Sequence, residues 1–90
     1  MLASEILDKA ADKIVECGWC RGVRRPRVCA VNAMAAAVKD GFCHASLALR
    51  QHLGLSGRSV ADWNDAPGRT QEEVIAKLRE AAAAEREAGR

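Results

Sequence analysis

Residues 70–82 read TQEEVIAKLREAA and carry the clearest structural signal in this 90-residue chain. Thr70, followed three residues later by Glu73, forms a capping box, in which the Thr70 oxygen accepts an amide N–H and Glu73 reaches back. We therefore predict an amphipathic helix that starts at Thr70 and is supported by an ion pair between Glu73 and Lys77. Its apolar stripe consists of Val74, Ile75, Leu78, Ala81 and Ala82.

Three segments upstream show the same helical spacing, and none shows the two-residue period of a strand. We predict helices over residues 5–17, 28–39 and 43–53, with Ser4 as the cap of the first. The expected stop signals are Gly18, Asp40-Gly41 and Gly54. The expected apolar stripe of the first helix is Ile6, Leu7, Ala10, Ala11, Ile14 and Val15.

A short turn at Gly57-Arg58 leads to Ser59, which we expect to cap a brief helical segment through Trp63. After Ala82 no large apolar residue remains, so residues 83–90 are expected to be exposed and partly frayed, or to form an association surface. The sequence thus predicts an all-α fold, a single small domain over residues 1–82 with four main helices plus a short helical segment.

The core should be small, because the chain has 18 Ala but only 18 Leu, Ile, Val and Phe residues together. Two alanine-rich helix faces are not needed for the predicted core, one with Ala33, Ala36 and Ala37 and one over residues 81–84. Small residues let helices approach closely, so we expect these faces to form a symmetric homodimer. The predicted core is Ile14, Trp19, Val31, Met34, Phe42, Leu49, Leu53, Trp63, Val74 and Leu78.

Charge and targeting signals exclude several classes of protein. Fourteen basic and twelve acidic residues give a net charge of +2, which does not by itself indicate a nucleic-acid partner. Acidic residues appear within the first eight positions without an apolar run after them, so we expect no signal peptide and a cytoplasmic location. The longest uncharged run, residues 28–38, is too short to span a membrane, and we expect no membrane partner.

Three stretches together carry a family resemblance: ADKIVECGW at residues 11–19, CAVNAM at 29–34, and SVADWNDAPGRT at 59–70. The set resembles a family of small helical proteins from actinobacteria and their phages that is catalogued as a domain of unknown function. The Trp-Asn-Asp…Gly-Arg-Thr block is the most specific part. The resemblance implies a helical fold and a phage or bacterial origin, and it implies no activity.

The four cysteines suggest a zinc site only weakly. Cys17 and Cys20 form a C-x-x-C pair, but Cys29 and Cys43 stand alone, whereas zinc needs about four converging ligands. A redox role is also disfavoured, because Cys17 lies at the carboxyl end of a helix, where the dipole opposes a thiolate. No catalytic set or phosphate loop is visible, so we predict neither an enzyme nor a cofactor.

The strongest local charge feature is an arginine loop, defined as residues 21–27, with four guanidinium groups. It is either a binding site for phosphate or an acidic partner, or a solvated loop. These arginines are Arg21, Arg24, Arg25 and Arg27.

Residues 49–65 have apolar and glycine positions like those of a helix-turn-helix, which makes Arg58, Ser59 and Asn64 candidates for DNA contact. Asp62 and Asp65 have the wrong sign for phosphates, which favours an ordinary helix hairpin.

Two functions therefore stand as hypotheses. The first is a non-enzymatic helical interaction module, encoded by a phage, that binds a host or phage protein in the host cytoplasm. The alternative is a helix-turn-helix-like DNA-binding regulator that uses residues 49–65 and the arginine loop.

Overall fold

The computed structural model describes residues 1–38, 42–56 and 58–90. Within these ranges the chain forms five helices, without a strand, and the predicted all-α fold is confirmed. The predicted stop at Asp40-Gly41, the last predicted helical residue Lys39 and the turn residue Gly57 lie outside the described residues. The helices are α1 (Ala3–Cys17), α2 (Ala30–Ala37), α3 (Cys43–Leu53), α4 (Val60–Asn64) and α5 (Gln71–Glu87).

The pairing of α1 with α5 forms the largest part of the core. The two helices are antiparallel, because Asp12 and Asp8 pair in turn with Arg79 and Arg86 along their length. Their facing surfaces are lined by alanines, and small side chains allow close helix approach. The buried alanines of this pair are Ala3, Ala10, Ala11, Ala81 and Ala82.

The core prediction is confirmed in its centre and corrected at its edge. Val15, a predicted member of the apolar stripe of α1, is 62% exposed. Val60 is buried although it is not part of the predicted core. Four residues of the predicted core pack against it only partly buried, namely Trp19, Val31, Phe42 and Leu53. The fully or nearly buried ones are Ile14, Met34, Leu49, Trp63, Val74 and Leu78.

The start of α1 differs from the prediction. Leu2 occupies the N-cap, and the Glu5 carboxylate accepts a hydrogen bond from the Leu2 N–H at 2.9 Å. Ser4 is 3% exposed inside the first turn, and its N–H donates to the carbonyl of Arg90 at 3.0 Å. The predicted Ser4 cap is therefore wrong, because the helix already begins at Ala3 and the carbonyl of Arg90, distant in sequence, accepts from the Ser4 N–H.

The second helix is shorter than the prediction at its amino end. It begins at Ala30, and the Sγ of the N-cap residue Cys29 accepts from the Asn32 N–H at 3.4 Å. Val28 belongs instead to the preceding loop, where its N–H donates to the Gly18 carbonyl at 2.9 Å. A backbone contact from outside the helix thus decides this boundary.

The second helix also ends before the predicted position, at Ala37, because Val38 is extended, with φ −139° and ψ 154°. The boundaries of α3 and the starts of α4 and α5 agree with the sequence. α3 covers the predicted range and ends at Gly54, whose φ of 67° is left-handed. The Oγ of Ser59 accepts from the Asp62 N–H, and Thr70 Oγ1 accepts from the Glu73 N–H at 3.2 Å.

The partners predicted for Glu73 were wrong. Its carboxylate pairs with Arg69 at 2.7 Å instead of reaching back to the cap, and Lys77 pairs with Glu80 at 3.3 Å. Arg69 takes Glu73 because it lies four residues away and is half-buried beside it.

The end of the chain, residues 83–90, continues α5 to Glu87 and lies against the start of α1. Arg86 pairs with Asp8, and Arg90 pairs with Glu85 at 3.1 Å. Apart from the half-buried Glu85, residues 83–90 are exposed as the sequence predicts, but the helix is regular to Glu87 and these contacts hold it.

The alanine-rich faces are used mainly within one chain. Ala33, Ala81 and Ala82 are at most 1% exposed, whereas Ala36 and residues 83–84 are exposed. Three of the seven alanines on which the homodimer prediction rests are therefore used inside one chain, and dimerisation stays a prediction. In the part of the chain that the structure describes, each helix is too short or too polar to cross a membrane.

Replacing Trp63 tests the core. Its side chain is 8% exposed, so Trp63→Ala should lower the free energy of unfolding by about 3–5 kcal/mol. The control Val15→Ala removes an exposed side chain and should change it by less than about 0.5 kcal/mol. Urea titration followed by circular dichroism measures both, and equal effects would contradict the core described above.

Candidate functional site

The side chain of Asn64, at the end of α4, is the polar centre of the molecule and is fully buried. Its Oδ1 accepts from the Trp19 indole Nε1–H at 2.6 Å and from the Ala30 N–H at 3.0 Å. Its Nδ2 donates to the Cys20 carbonyl at 3.1 Å and to the Asp65 carboxylate at 2.9 Å. One amide thus holds the start of the loop and the first residue of α2 against α4.

Asp65 extends the same network to the loop. Its Oδ1 also accepts from the Gly22 N–H at 2.9 Å. The hydrogen bonds from Asn64 and Gly22, with the positive charge of Arg21 nearby, lower the pKa of this carboxyl. Asp65 therefore acts as an acceptor for the backbone, and its charge is not directed at a ligand.

The Gly-Arg-Thr part of the Trp-Asn-Asp…Gly-Arg-Thr block, residues 68–70, connects the start of α5 to the same loop. The guanidinium of Arg69 lies 4.3 Å from the Trp63 ring centroid, and its Nε donates to the Trp63 carbonyl at 2.9 Å. The Gln71 side chain accepts from the Trp19 N–H at 3.1 Å, and Arg21 Nη2 donates to the Arg69 carbonyl at 3.1 Å. The motif that carries the family resemblance therefore makes contacts within the chain, which connect α4 and the start of α5 to residues 19–22.

The arginine loop exposes its other three arginines to solvent. Arg24, Arg25 and Arg27 are exposed, and within the described residues no carboxylate pairs with them. The loop closes on itself through the Arg27 N–H, which donates to the Arg24 carbonyl at 3.0 Å. Arg25 and Arg27 line a concavity of ≈ 740 Å³ against Asn32 and the alanines of α2.

Charge is distributed unevenly between two parts of the chain. Residues 17–61 contain seven of the fourteen basic residues but one of the twelve acidic residues. On α1 and α5, by contrast, Arg79 and Arg86 pair with acidic partners. The arginine loop therefore belongs to a basic part of the sequence, and Asp65, at the end of α4, is the carboxylate that contacts it at Gly22.

The DNA-contact residues expected from the helix-turn-helix pattern are not all available. Asn64 is fully buried and uses its amide internally, and the Ser59 Oγ accepts a hydrogen bond within its own helix. Arg58 is exposed. The would-be recognition helix α4 has five residues, which is too short to present several side chains to a major groove.

The structure does not gather the cysteines into a metal site. Cys17 is half-buried, Cys20 and Cys29 are buried, and Cys43 is exposed at the start of α3. Among residues 1–38, 42–56 and 58–90, no three His, Cys, Asp or Glu side chains converge as metal ligands would.

An apolar groove of ≈ 360 Å³ lies on the opposite side, where the chain termini meet α3. Met1, Leu2 and Leu47 line it and are each more than half exposed. His44 lies at its edge, and its Nε2 is 3.1 Å from the Met1 carbonyl oxygen.

The fold and these contacts define a small helical domain whose basic loop is fixed by a buried amide. The chain belongs to a family of unknown function, DUF6197, whose model matches residues 1–84. No curated protein matches the chain. No solved structure matches it either.

Sequence reasoning named Asn64 as a DNA contact, but its role is internal. The available signal was the Trp-Asn-Asp block, in which an uncharged amide sits between a core aromatic and an acidic residue. Spacing could not show that Trp19, 45 residues earlier, would donate to it.

Removing the Asn64 amide should be costly. Asn64→Ala leaves the buried N–H groups of Trp19 and Ala30 and the Cys20 carbonyl without their acceptor or donor, at about 1–3 kcal/mol each. We expect a loss of at least ~3 kcal/mol in the free energy of unfolding. Asp62→Asn, on the exposed side of the same helix, is the control, and a similar loss there would refute the special role of Asn64.

Asp65 should make the domain less stable in acid. Because its folded pKa lies below its unfolded value, the carboxylate contributes stability at neutral pH, and this is lost as the pH falls below about 4 and through the folded pKa. Melting temperatures of wild type and Asp65→Asn should differ at pH 7 and converge in acid. A difference that is constant across this range would contradict the ionised role of Asp65.

Proposed function

We propose that this protein is a non-enzymatic interaction module that binds an acidic surface of a protein partner through its arginine loop. The observation that carries the proposal is that Arg24, Arg25 and Arg27 are exposed, without a carboxylate partner among the described residues, on a loop that is fixed from beneath. A phage origin, with a host or phage protein as the partner, is part of the same proposal and comes from the family resemblance.

The fixed loop supports binding because it reduces the entropy lost on association. Asn64 and Asp65 hold its amino-terminal part, and the Val28 N–H to Gly18 carbonyl bond closes its other end. The backbone of the loop therefore has less conformational freedom to lose when a partner binds.

The uneven charge supports an acidic partner. Guanidinium groups form bidentate bonds with carboxylates, and arginines without a carboxylate partner, such as Arg24, Arg25 and Arg27, attract an acidic surface over long range. The free state of the four cysteines fits the cytoplasm, the host's for a phage protein, as the compartment of this proposal.

The alternative remains a DNA-binding regulator. The same basic surface and the exposed Arg58 favour it, because phosphates also bind guanidinium groups. The short α4 and the buried Asn64 count against base readout by residues 49–65. Under this alternative the arginine loop would contact the DNA backbone.

Partner capture from host lysate tests the proposal with a matched control. The variant Arg24→Gln/Arg25→Gln and the control Lys9→Gln/Lys13→Gln lose the same charge, on the loop and on α1 respectively. We expect wild type and control to retain the same protein, and the loop variant to lose it. The retained protein should elute at higher salt and present an acidic region.

A gel-shift titration with duplex DNA at two salt concentrations is the second arm. Tight, salt-steep binding that the loop variant abolishes would overturn the protein-binding proposal in favour of the DNA-binding regulator. Equal capture by the loop variant and the control would show that the arginine loop is only solvated.

A further inference from the structure

A second basic concavity, of ≈ 530 Å³, lies between α2, α3 and the start of α4, away from the arginine loop. Arg50 of α3 and Arg58 before α4 both line it, and neither pairs with a carboxylate within the described part of the chain. The hydroxyl-bearing residues Ser46 and Ser59 lie on the same wall, and no acidic residue is among those that line it. Val31, Val60 and Ala61 complete the lining.

The side chain of Arg50 has donors that the described residues do not use. Its Nε is buried and has no hydrogen-bond partner among them. Since Arg50 lines the concavity, its guanidinium can donate to an acceptor that binds there.

We propose that this concavity binds a phosphoryl group, with Arg50 and Arg58 as the charged ligands and the Ser46 and Ser59 hydroxyls as additional donors. The Ser59 oxygen accepts from the Asp62 N–H, and its own O–H stays available to donate. Two guanidinium groups match the charge of a phosphate dianion and offer planar, paired N–H donors to its oxygens.

The recessed position favours a terminal phosphoryl group over a phosphodiester. A terminal group presents three oxygens and about two negative charges, whereas a phosphodiester has one charge and is flanked by two substituents. The apolar side chains Val31 and Val60 complete the wall beside the charged groups and offer no competing acceptor. The ligand is therefore inorganic phosphate or the phosphate of a monoester.

Spectra of the arginine Nε–H groups in the ¹⁵N-labelled full chain test this site directly. Inorganic phosphate is titrated at constant ionic strength against sodium chloride, with phosphoserine and dimethyl phosphate as parallel probes. We expect the Arg50 Nε–H signal to move saturably with phosphate, and dimethyl phosphate to bind more weakly. Tighter binding of phosphoserine would identify a monoester as the source, and tighter binding of inorganic phosphate would identify the free anion.

Three variants that each lose one positive charge distinguish a specific phosphate site from a nonspecific effect of the protein's net charge. Arg50→Gln and Arg58→Gln should weaken phosphate binding by at least about tenfold, the ratio expected for one lost hydrogen bond to a charged group. Arg24→Gln, on the arginine loop, should leave it within about twofold. Arg58 is exposed, so its variant stays informative if Arg50→Gln alters the packing.

A non-saturable response, or an equal loss in all three variants, would overturn the proposal. Tighter binding of dimethyl phosphate than of phosphate would also overturn it and indicate a nucleic-acid backbone instead. These outcomes are independent of partner capture by the arginine loop, because Arg50 and Arg58 are outside that loop and the probe is a small anion.

Discussion

The buried amide of Asn64 is the interaction on which the rest of the structure depends. It is fully buried, and its four hydrogen bonds reach Trp19, Cys20, Ala30 and Asp65. An amide has both donors and acceptors, so one side chain can satisfy an indole, a helix-start N–H and a loop carbonyl at once. A carboxylate has no donor for the carbonyl, and an apolar side chain would leave all these groups unsatisfied.

The hydrogen bonds of Asn64 and Asp65 also determine where the arginines of the loop lie. The fixed loop carries three exposed arginines, Arg24, Arg25 and Arg27, that have no carboxylate partner among the described residues. On α1 and α5, Asp8 and Asp12 lie against Arg79 and Arg86, so charges are largely compensated there. The exposed arginines of the loop are therefore less compensated than those of α5, and this difference underlies the proposal of an acidic partner.

Alanine explains how so few large side chains form a compact domain. The Cα radius of gyration is 11.7 Å, against about 12 Å expected for a chain of this length. Alanines on α1 and α5 let the helices approach closely, and Ile14 and Leu78 belong to the same buried cluster. Ala33, Ala81 and Ala82, which suggested a dimer interface, therefore contribute to the core of one chain.

The sequence by itself determined the helical elements and the centre of the core. Periodicity and local capping residues such as Ser59 and Thr70 act over a few positions, so they could be recognised without a structure. Tertiary structure alone decided the start of α2, the docking of residues 83–90 and the role of Asn64. Each depends on groups distant in sequence, such as the Arg90 carbonyl that accepts from the Ser4 N–H, and no local pattern encodes which distant group will be the partner.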